Sequence, residues 1–167
     1  LRLRGIFYFL QKHITKRSLV NIEKINKLWI FHENSIVKNN SKSILEIGAG
    51  KSLEQNIYLS YKFDGSINQT AIDINNMLDF DLVNQASEQI SNILNLNNKG
   101  KVENLEQLKK LYNINYMAPY NLSNFKDTNN KFDICISTTA LEHFKLSDLK
   151  HYLEDLKDIL KPDGLVS

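Results

Sequence analysis

Two closely spaced glycines directly follow a short apolar segment in the first third of this sequence. Residues 44–47 read Ile-Leu-Glu-Ile, Gly48-Ala49-Gly50 comes next, and a helical stretch through Leu53 and Ile57 follows. Glycine permits the sharp turn from a strand into a helix, and it leaves bare backbone against which a ligand can lie. This order is typical of an α/β protein that binds its ligand where a parallel strand ends.

The same order of strand and helix recurs along the chain. Strands are predicted at residues 43–47, 70–74, 114–118 and 132–137, and from Leu165 onward. Two helices are predicted within residues 79–112. A last helix is predicted to begin at an N-cap, Ser147, and to present an apolar face of Leu149, Leu153, Leu156 and Leu160. Apolar strands that alternate with amphipathic helices indicate a parallel sheet covered on both faces.

Residues 1–40 predict a helical N-terminal extension ahead of a domain at residues 41–167. Its apolar residues at helix-face spacing are Ile22, Ile25, Leu28 and Trp29. The basic and aromatic residues 1–20 allow contact with a membrane surface, although packing of an amphipathic helix on its own domain is favoured. Trp29, Phe31 and His32 are open to two interpretations, a lid over a ligand or plain core packing.

Composition excludes several classes of protein. The chain has 167 residues, of which 42% are hydrophobic, and a formal net charge of only +2, which argues against a protein that grips phosphate backbones. A single cysteine, Cys135, excludes a disulfide framework and favours a reducing compartment, so we predict a cytoplasmic location. No apolar stretch approaches the roughly 18 to 20 residues that span a bilayer. The chain lacks an initial Met and stops within a predicted strand, which suggests a fragment cut at both ends.

Three ligand classes use a glycine turn after a strand, and spacing separates them. A dinucleotide fingerprint needs a third glycine at position 53, which is Leu53. A phosphate-binding P-loop ends like Gly50-Lys51-Ser52, but its first glycine would fall on Leu45, inside the strand. The third pattern, acid-x-Gly-x-Gly, is satisfied by Glu46 and residues 47–50.

With this motif the chain resembles the class I S-adenosylmethionine-dependent methyltransferases, over roughly residues 43–167. Asp73 ends the second strand, where the family has an acid that holds the ribose hydroxyls. Residues 132–137 with Leu141-Glu142-His143 are similar to the family's fourth motif, and residues 159–164 are similar to its Leu-Lys-Pro-Gly-Gly entry into the fifth strand. The chain departs from the family pattern at Ser52 and Asp163, which replace glycines.

The resemblance implies a Rossmann-like doubly wound sheet with strand order 3-2-1-4-5, and S-adenosylmethionine as the cofactor. It implies that the cofactor-binding residues are Glu46, Gly48, Ala49, Gly50, Asp73, Ile74, Asn121, Ser137 and Thr138. Glu142 and His143 follow the fourth strand, where the acceptor binds, and they are the candidate catalytic residues. In some relatives such a pair helps to hold a divalent metal, but no metal site is predicted here.

The expected activity is methyl transfer to a small-molecule, glycan or lipid-linked acceptor. DNA is not expected as the acceptor, because the Pro-Cys and Asn/Asp-Pro-Pro-aromatic motifs of DNA methyltransferases are both missing. Two alternatives remain open at this point. One is a cofactor-binding module that acts with a partner chain, and the other is a binder of nucleotide phosphates through residues 50–52.

Overall fold

A computed structural model describes residues 19–125, 131–138, 140–143 and 145–167, except for the side chains of His143, Ser147 and Asp148. The membrane-surface contact predicted for residues 1–20 therefore falls almost wholly outside the described residues. Within the described ranges, no helix is both long enough and apolar enough to cross a membrane. The cytoplasmic location stays a prediction.

Five parallel strands form one sheet in the order β3-β2-β1-β4-β5, as predicted. The strands are β1 (Ser43–Ile47), β2 (Asn68–Ile72), β3 (Ile114–Met117), β4 (Phe132–Ile136) and β5 (Leu160–Val166). β1 lies between β2 and β4, with Glu46 opposite Ala71 on one side and Ile136 on the other. Because a central parallel strand is buried on both faces, Ile44, Leu45 and Ile47 of β1 are buried apolar residues, and Glu46 is buried among them. The predicted fold class is confirmed.

Helices cover both faces of this sheet. They are α1 (Lys27–Lys38), α2 (Glu54–Phe63), α3 (Phe80–Leu94), α4 (Leu105–Tyr112) and α5 (Leu146–Ile159). One core cluster joins Ile44 and Ala71 to buried residues of α1, α2, α3 and α4. The other joins Leu45 and Ile47 to α5 and a 3-10 turn (Leu122–Phe125). Alternate β1 residues therefore serve opposite faces, so Glu46 belongs with Ile44 on the α2 face.

Residues 19–26 of the predicted N-terminal helix lie outside a helix in the structure. α1 begins after the N-cap Asn26, whose Oδ1 accepts the Leu28 amide at 2.9 Å. Ile22 and Ile25 precede the helix, although both pack against the core. The side chain of Gln89 on α3 anchors this segment, because it accepts the Ile22 amide at 2.7 Å and donates to the Val20 carbonyl at 2.9 Å.

The last helix and strand also differ from the prediction. α5 begins after Lys145, without a side-chain cap, rather than at an N-cap Ser147. Leu153, assigned to the apolar face, is 43% exposed, whereas Leu156 and Ile159 are buried. β5 begins at Leu160 rather than Leu165, because Leu160 already pairs with Phe132 of β4. Next to this pair, Lys161 Nζ lies 2.7 Å from Asp133 Oδ1.

Three helices end on a residue other than glycine with a left-handed backbone. These residues are Asp64, Asn95 and Asn113, after α2, α3 and α4, with φ of 45°, 54° and 55°. Asparagine tolerates this conformation better than most residues. The Asn113 amide also donates to the Gly65 and Ile67 carbonyls and to Asn68 Oδ1, which ties the end of α4 to the start of β2.

Candidate functional site

The bend after β1 lies at the point where the strand order reverses, between β1 and β4. Open α/β sheets bind their ligands at this switch point. Gly48 and Gly50 both have φ of +75°, which favours glycine. A Cβ on Gly48 would lie 2.2 Å from Ala140 Cβ, whereas a Cβ on Gly50 would meet nothing within 4 Å. The chain is therefore tightly packed at Gly48 and faces open space at Gly50, with the half-buried Ala49 between them.

Glu46 places a buried carboxyl group next to this bend. Its side chain is 3% exposed, and its Oε1 accepts a hydrogen bond from Gln55 Nε2 at 3.1 Å. Among the described residues its Oε2 has no hydrogen-bond partner, although that atom is buried. Burial raises the pKa of Glu46 to about 8; the side-chain amides of Asn56 and Gln55 oppose the shift, and the nearby charge of Asp73 adds to it. A buried acceptor with spare capacity is suited to a cationic or hydrogen-bond-donating ligand.

Asp73 places a second carboxyl group on the same face of the sheet. It follows β2 by one residue, and Glu46 lies opposite Ala71, so Asp73 and Glu46 project to the same side. The Asp73 side chain is 4% exposed, and its Oδ2 accepts the Gly50 amide at 3.2 Å. Burial raises the pKa of this carboxyl group, whereas hydrogen bonds from the Tyr116 hydroxyl and the Gly50 amide lower it. The structure therefore brings together both predicted acids and the glycine bend.

The Gln55 side chain joins four chain segments next to Glu46. Its Oε1 lies 2.8 Å from His32 Nδ1 on α1 and accepts the Thr138 hydroxyl at 2.9 Å. Its Nε2 reaches Glu46 on β1. Sequence reasoning did not find Gln55, and the only local signal is a glutamine on the buried side of α2.

Other predicted residues lie at the same edge of the sheet. Ile74 follows Asp73 and is 66% exposed, so it presents an apolar surface to any ligand there. Ser137 donates its hydroxyl to the Ile47 carbonyl at 3.1 Å and ties the end of β4 to the end of β1. Thr138 is held by Gln55, as described above. Ser137 and Thr138 thus support the bend through hydrogen bonds within the protein.

Three predicted residues remain, Asn121, Glu142 and His143. The exposed Asn121 is engaged within its own turn, where its Oδ1 accepts the Ser123 hydroxyl and its backbone N–H donates to Asn124 Oδ1 at 2.9 Å. Glu142 is exposed in a 3-10 turn (Leu141–His143). The His143 side chain lies outside the described residues. Residue roles at these three positions stay predictions.

Leu53 has a backbone conformation that its residue type does not predict. It stands where a dinucleotide fingerprint has its third glycine, and it adopts the left-handed backbone of a glycine, with φ of 50°. Its side chain is nevertheless fully buried in the core. Burial of a leucine stabilises a fold by about 1.5 to 3 kcal/mol, which offsets a left-handed cost of about 1 to 2 kcal/mol. The tight entry into α2 therefore does not require glycine at this position.

The described residues contain no group of three or more His, Cys, Asp or Glu side chains that could hold a metal ion. Glu46 and Asp73 form a pair of acids beside backbone and amide groups. Two carboxyl groups in this setting can accept hydrogen bonds from a ligand that carries donors, and when ionised they can pair with its positive charge.

Several solved structures share this fold. A candidate O-methyltransferase from Klebsiella pneumoniae superimposes with a TM-score of 0.54 at 12% identity, over 96% of this chain and 68% of its own. A candidate caffeoyl-CoA O-methyltransferase from Staphylococcus aureus gives 0.52 at 18% identity, over 95% of this chain and 63% of its own. TehB from Haemophilus influenzae gives 0.50 at 17% identity, over 94% and 42%.

These likenesses show the fold, and the chain spans about two thirds or less of the length of these three proteins. No curated protein matches the sequence. A sequence family described as a methyltransferase domain matches residues 13–167. Because this match covers most of the chain, the protein belongs to the methyltransferase domain family.

Proposed function

We propose that this chain transfers a methyl group from S-adenosylmethionine to a small-molecule, glycan or lipid-linked acceptor. The family uses S-adenosylmethionine as its methyl donor. The observation that carries the proposal for this chain is the pair of buried carboxyl groups, Glu46 and Asp73, on one face of the sheet beside an open glycine bend.

The residues present fit this donor. S-adenosylmethionine carries an ammonium group and two ribose hydroxyls, all of which need hydrogen-bond acceptors. Glu46 offers an unpartnered buried oxygen, and Asp73 offers a carboxylate held in place by the Gly50 amide. Gly50 leaves open space where a side chain would stand, and the exposed Ile74 supplies an apolar surface next to Asp73. In this arrangement Glu46 holds the amino-acid half of the donor, while Asp73 holds its ribose.

The bound donor supplies an electrophilic methyl group on its sulfonium sulfur, and the thioether left after transfer is a good leaving group. The protein then has to orient donor and acceptor in line and to keep water away. The bend is fixed for this task by the Gly48 amide, which donates to the Ile72 carbonyl at 2.8 Å, and by the Ser137 hydroxyl. Glu142 and His143, after β4, are the proposed groups for accepting a proton from the acceptor where its chemistry requires one.

The charge of the chain supports a small or lipid-linked acceptor over a nucleic acid. The formal net charge is +2, with 21 basic and 19 acidic residues. Proteins that bind nucleic acids usually carry a marked basic excess on one face. The acceptor is therefore proposed to be recognised by shape and hydrogen bonding rather than by many phosphate contacts.

Binding of nucleotide phosphates is less well supported by the local charges. The first turn of α2 carries Glu54, which accepts the Ser52 hydroxyl at 2.8 Å. A phosphate at this helix start would face Glu54 as well as the two buried acids, and carboxylates repel phosphate groups.

The other alternative, a cofactor-binding module that acts with a partner chain, differs from the enzyme only in turnover, so an activity assay separates the two.

The test is calorimetry of S-adenosylhomocysteine binding to the wild-type chain and to two aspartate variants. We expect Asp73→Ala to weaken binding at least about tenfold, because it removes a charge-assisted acceptor. Asp133→Asn is the matched control, because Asp133 also accepts backbone amides but lies at the amino ends of β1 and β4. Tight binding of ATP with magnesium, without binding of S-adenosylhomocysteine, would overturn the proposal.

A methyl-release assay across pools of small-molecule, glycan and lipid-linked acceptors then tests turnover. Methyl transfer to a member of these pools supports the enzyme. Firm binding of S-adenosylhomocysteine without methyl transfer to any acceptor would favour the cofactor-binding module instead.

A further inference from the structure

A buried hydrogen-bond network connects the N-terminal helix to the proposed cofactor site. His32 of α1, Gln55 of α2 and Glu46 of β1 are 3%, 5% and 3% exposed. The Gln55 amide lies between the other two, at 2.8 Å from His32 Nδ1 and 3.1 Å from Glu46 Oε1. Buried polar groups are costly unless they are paired, so this chain of contacts helps to hold the Glu46 side chain, together with the side chain of Asn56.

The chemistry of the partners determines which way the Gln55 amide faces. The ionised form of Glu46, which a bound ammonium group or a pH above about 8 favours, can only accept hydrogen bonds, so the Gln55 NH₂ must then face it. The Gln55 carbonyl oxygen then faces His32 and Thr138, and both must donate to it. The Thr138 hydroxyl can rotate to donate or to accept, so it does not select one orientation.

His32 is the partner that completes this orientation. Burial lowers the pKa of its imidazole, which favours the neutral ring with one N–H. An ionised Glu46 requires that hydrogen on Nδ1, because the Gln55 carbonyl that then faces the ring at 2.8 Å needs a donor. In this tautomer a flipped Gln55 amide would place NH₂ against N–H, so the ring stabilises the orientation with the NH₂ toward Glu46.

We propose that His32 is a positioning residue for cofactor binding, and that it acts through Gln55 to fix the orientation of the Glu46 carboxylate. The inference rests on the proposed function, because Glu46 is there the acceptor for the ammonium group of the donor. With Glu46 Oε1 engaged by Gln55, Oε2 is the oxygen left for the ligand. The N-terminal helix is thereby a part of the cofactor site, although none of its residues need touch the cofactor.

The test measures calorimetric affinity for S-adenosylhomocysteine in single and double variants. His32→Leu removes the donor, and we expect about tenfold weaker binding, the value of one buried hydrogen bond. His32→Asn retains an N–H near the position of Nδ1, and we expect affinity within about threefold of the wild type. In a Gln55→Leu background, His32→Leu should weaken binding by less than about twofold, because the intermediary is already gone.

Ile36→Ala is the matched control for loosened packing, because Ile36 is fully buried one turn further along α1 and contributes no polar atom. We expect it to lower the urea midpoint of unfolding and to leave the affinity within about twofold. An equal loss of affinity in Ile36→Ala and His32→Leu would overturn the inference, since helix packing would then explain both.

A second measurement does not depend on the ligand. In a long-range ¹H–¹⁵N correlation spectrum at pH 9, where Glu46 is ionised, we expect the His32 hydrogen on Nδ1. A hydrogen on Nε2, or wild-type affinity in His32→Leu, would overturn the inference alone. Failure of the wild-type chain to bind S-adenosylhomocysteine would overturn the proposed function, and this inference with it.

Discussion

The buried carboxyl group of Glu46 makes the stability of the ligand-free protein depend on pH in an unusual direction. The pKa of Glu46 is raised from 4.5 to about 8 in the folded chain, chiefly by burial. Between these values the folded state binds more protons than the unfolded state, so the free energy of unfolding falls as pH rises. The destabilisation is absent below about pH 4.5 and complete above about pH 8.

The perturbation that isolates this effect is Glu46→Gln. Glutamine keeps an oxygen that can accept from Gln55, but it cannot ionise. The full shift corresponds to at most about 5 kcal/mol, at 1.36 kcal/mol for each pKa unit. We expect the advantage of Glu46→Gln over the wild type to grow by about 2 to 5 kcal/mol between pH 5 and pH 9. Asp73, whose pKa is also raised, leaves a smaller slope of the same sign in the variant.

The assay is urea unfolding at pH 5, 7 and 9, followed by circular dichroism. Asp133→Asn is the control of opposite sign. Burial acts to raise the pKa of Asp133, but Lys161 and the amides of Lys42 and Ser43 outweigh it and lower that pKa. Asp133 therefore stabilises the fold above its unfolded pKa, and that contribution is lost only as pH falls through its folded pKa.

We accordingly expect the Asp133→Asn curve to lie below the wild-type curve and to run parallel to it from pH 5 to pH 9. Parallel curves for Glu46→Gln and wild type would refute the reasoning, because they would mean that Glu46 ionises in the folded chain as freely as in the unfolded one.

Three other predictions concern the site and the core. Gly48→Ala should lower the free energy of unfolding by about 3 kcal/mol or more, because its Cβ would meet Ala140. Gly50→Ala should lower it by only about 1 to 2 kcal/mol, the cost of left-handed strain, because its Cβ would meet nothing. Urea unfolding of both variants checks that Gly48→Ala is the less stable. Binding of S-adenosylhomocysteine at pH 7 should release up to about one proton, because an ammonium group beside Glu46 lowers its pKa, and the binding heat should vary with the ionisation enthalpy of the buffer in the wild type but not in Glu46→Gln. Burial raises the pKa of the Cys135 thiol, so a disulfide reagent should label the native chain only at its rate of opening, and labelling at the rate of the urea-unfolded chain would contradict this.

The sheet and the acid pair could be predicted because they follow from local patterns. Alternation of apolar strands with amphipathic helices indicated the parallel sheet, and the end of each strand indicated where Glu46 and Asp73 would meet. The boundaries were less predictable. Ile22 and Ile25 have helix-like spacing, but they precede the helix, in a segment that a side chain distant in the sequence, Gln89, anchors to α3.

The buried network could not be predicted in the same way. His32, Gln55, Glu46 and Thr138 come from four different segments, and their bonded pairs are 9, 23 and 83 residues apart, so periodicity carries no information about their contact. Leu53 is a further case, because the helical pattern includes it, whereas it has a left-handed backbone that its burial in the core sustains. Long-range packing therefore determined what local preference could not.

The left-handed asparagines at two helix ends have different consequences for anyone who wishes to engineer a more thermostable version. Asn95 at the end of α3 contributes its left-handed backbone and its own N–H, which donates to the Asn92 and Ser91 carbonyls, so exchange for glycine is a natural first substitution there. Asn113 has the same shape at the end of α4, yet its amide fastens the chain to residues 65–68. A consensus rule that puts glycine at every such terminus would thus relieve backbone strain at residue 95. At residue 113 it would also remove the side-chain hydrogen bonds that hold α4 to β2.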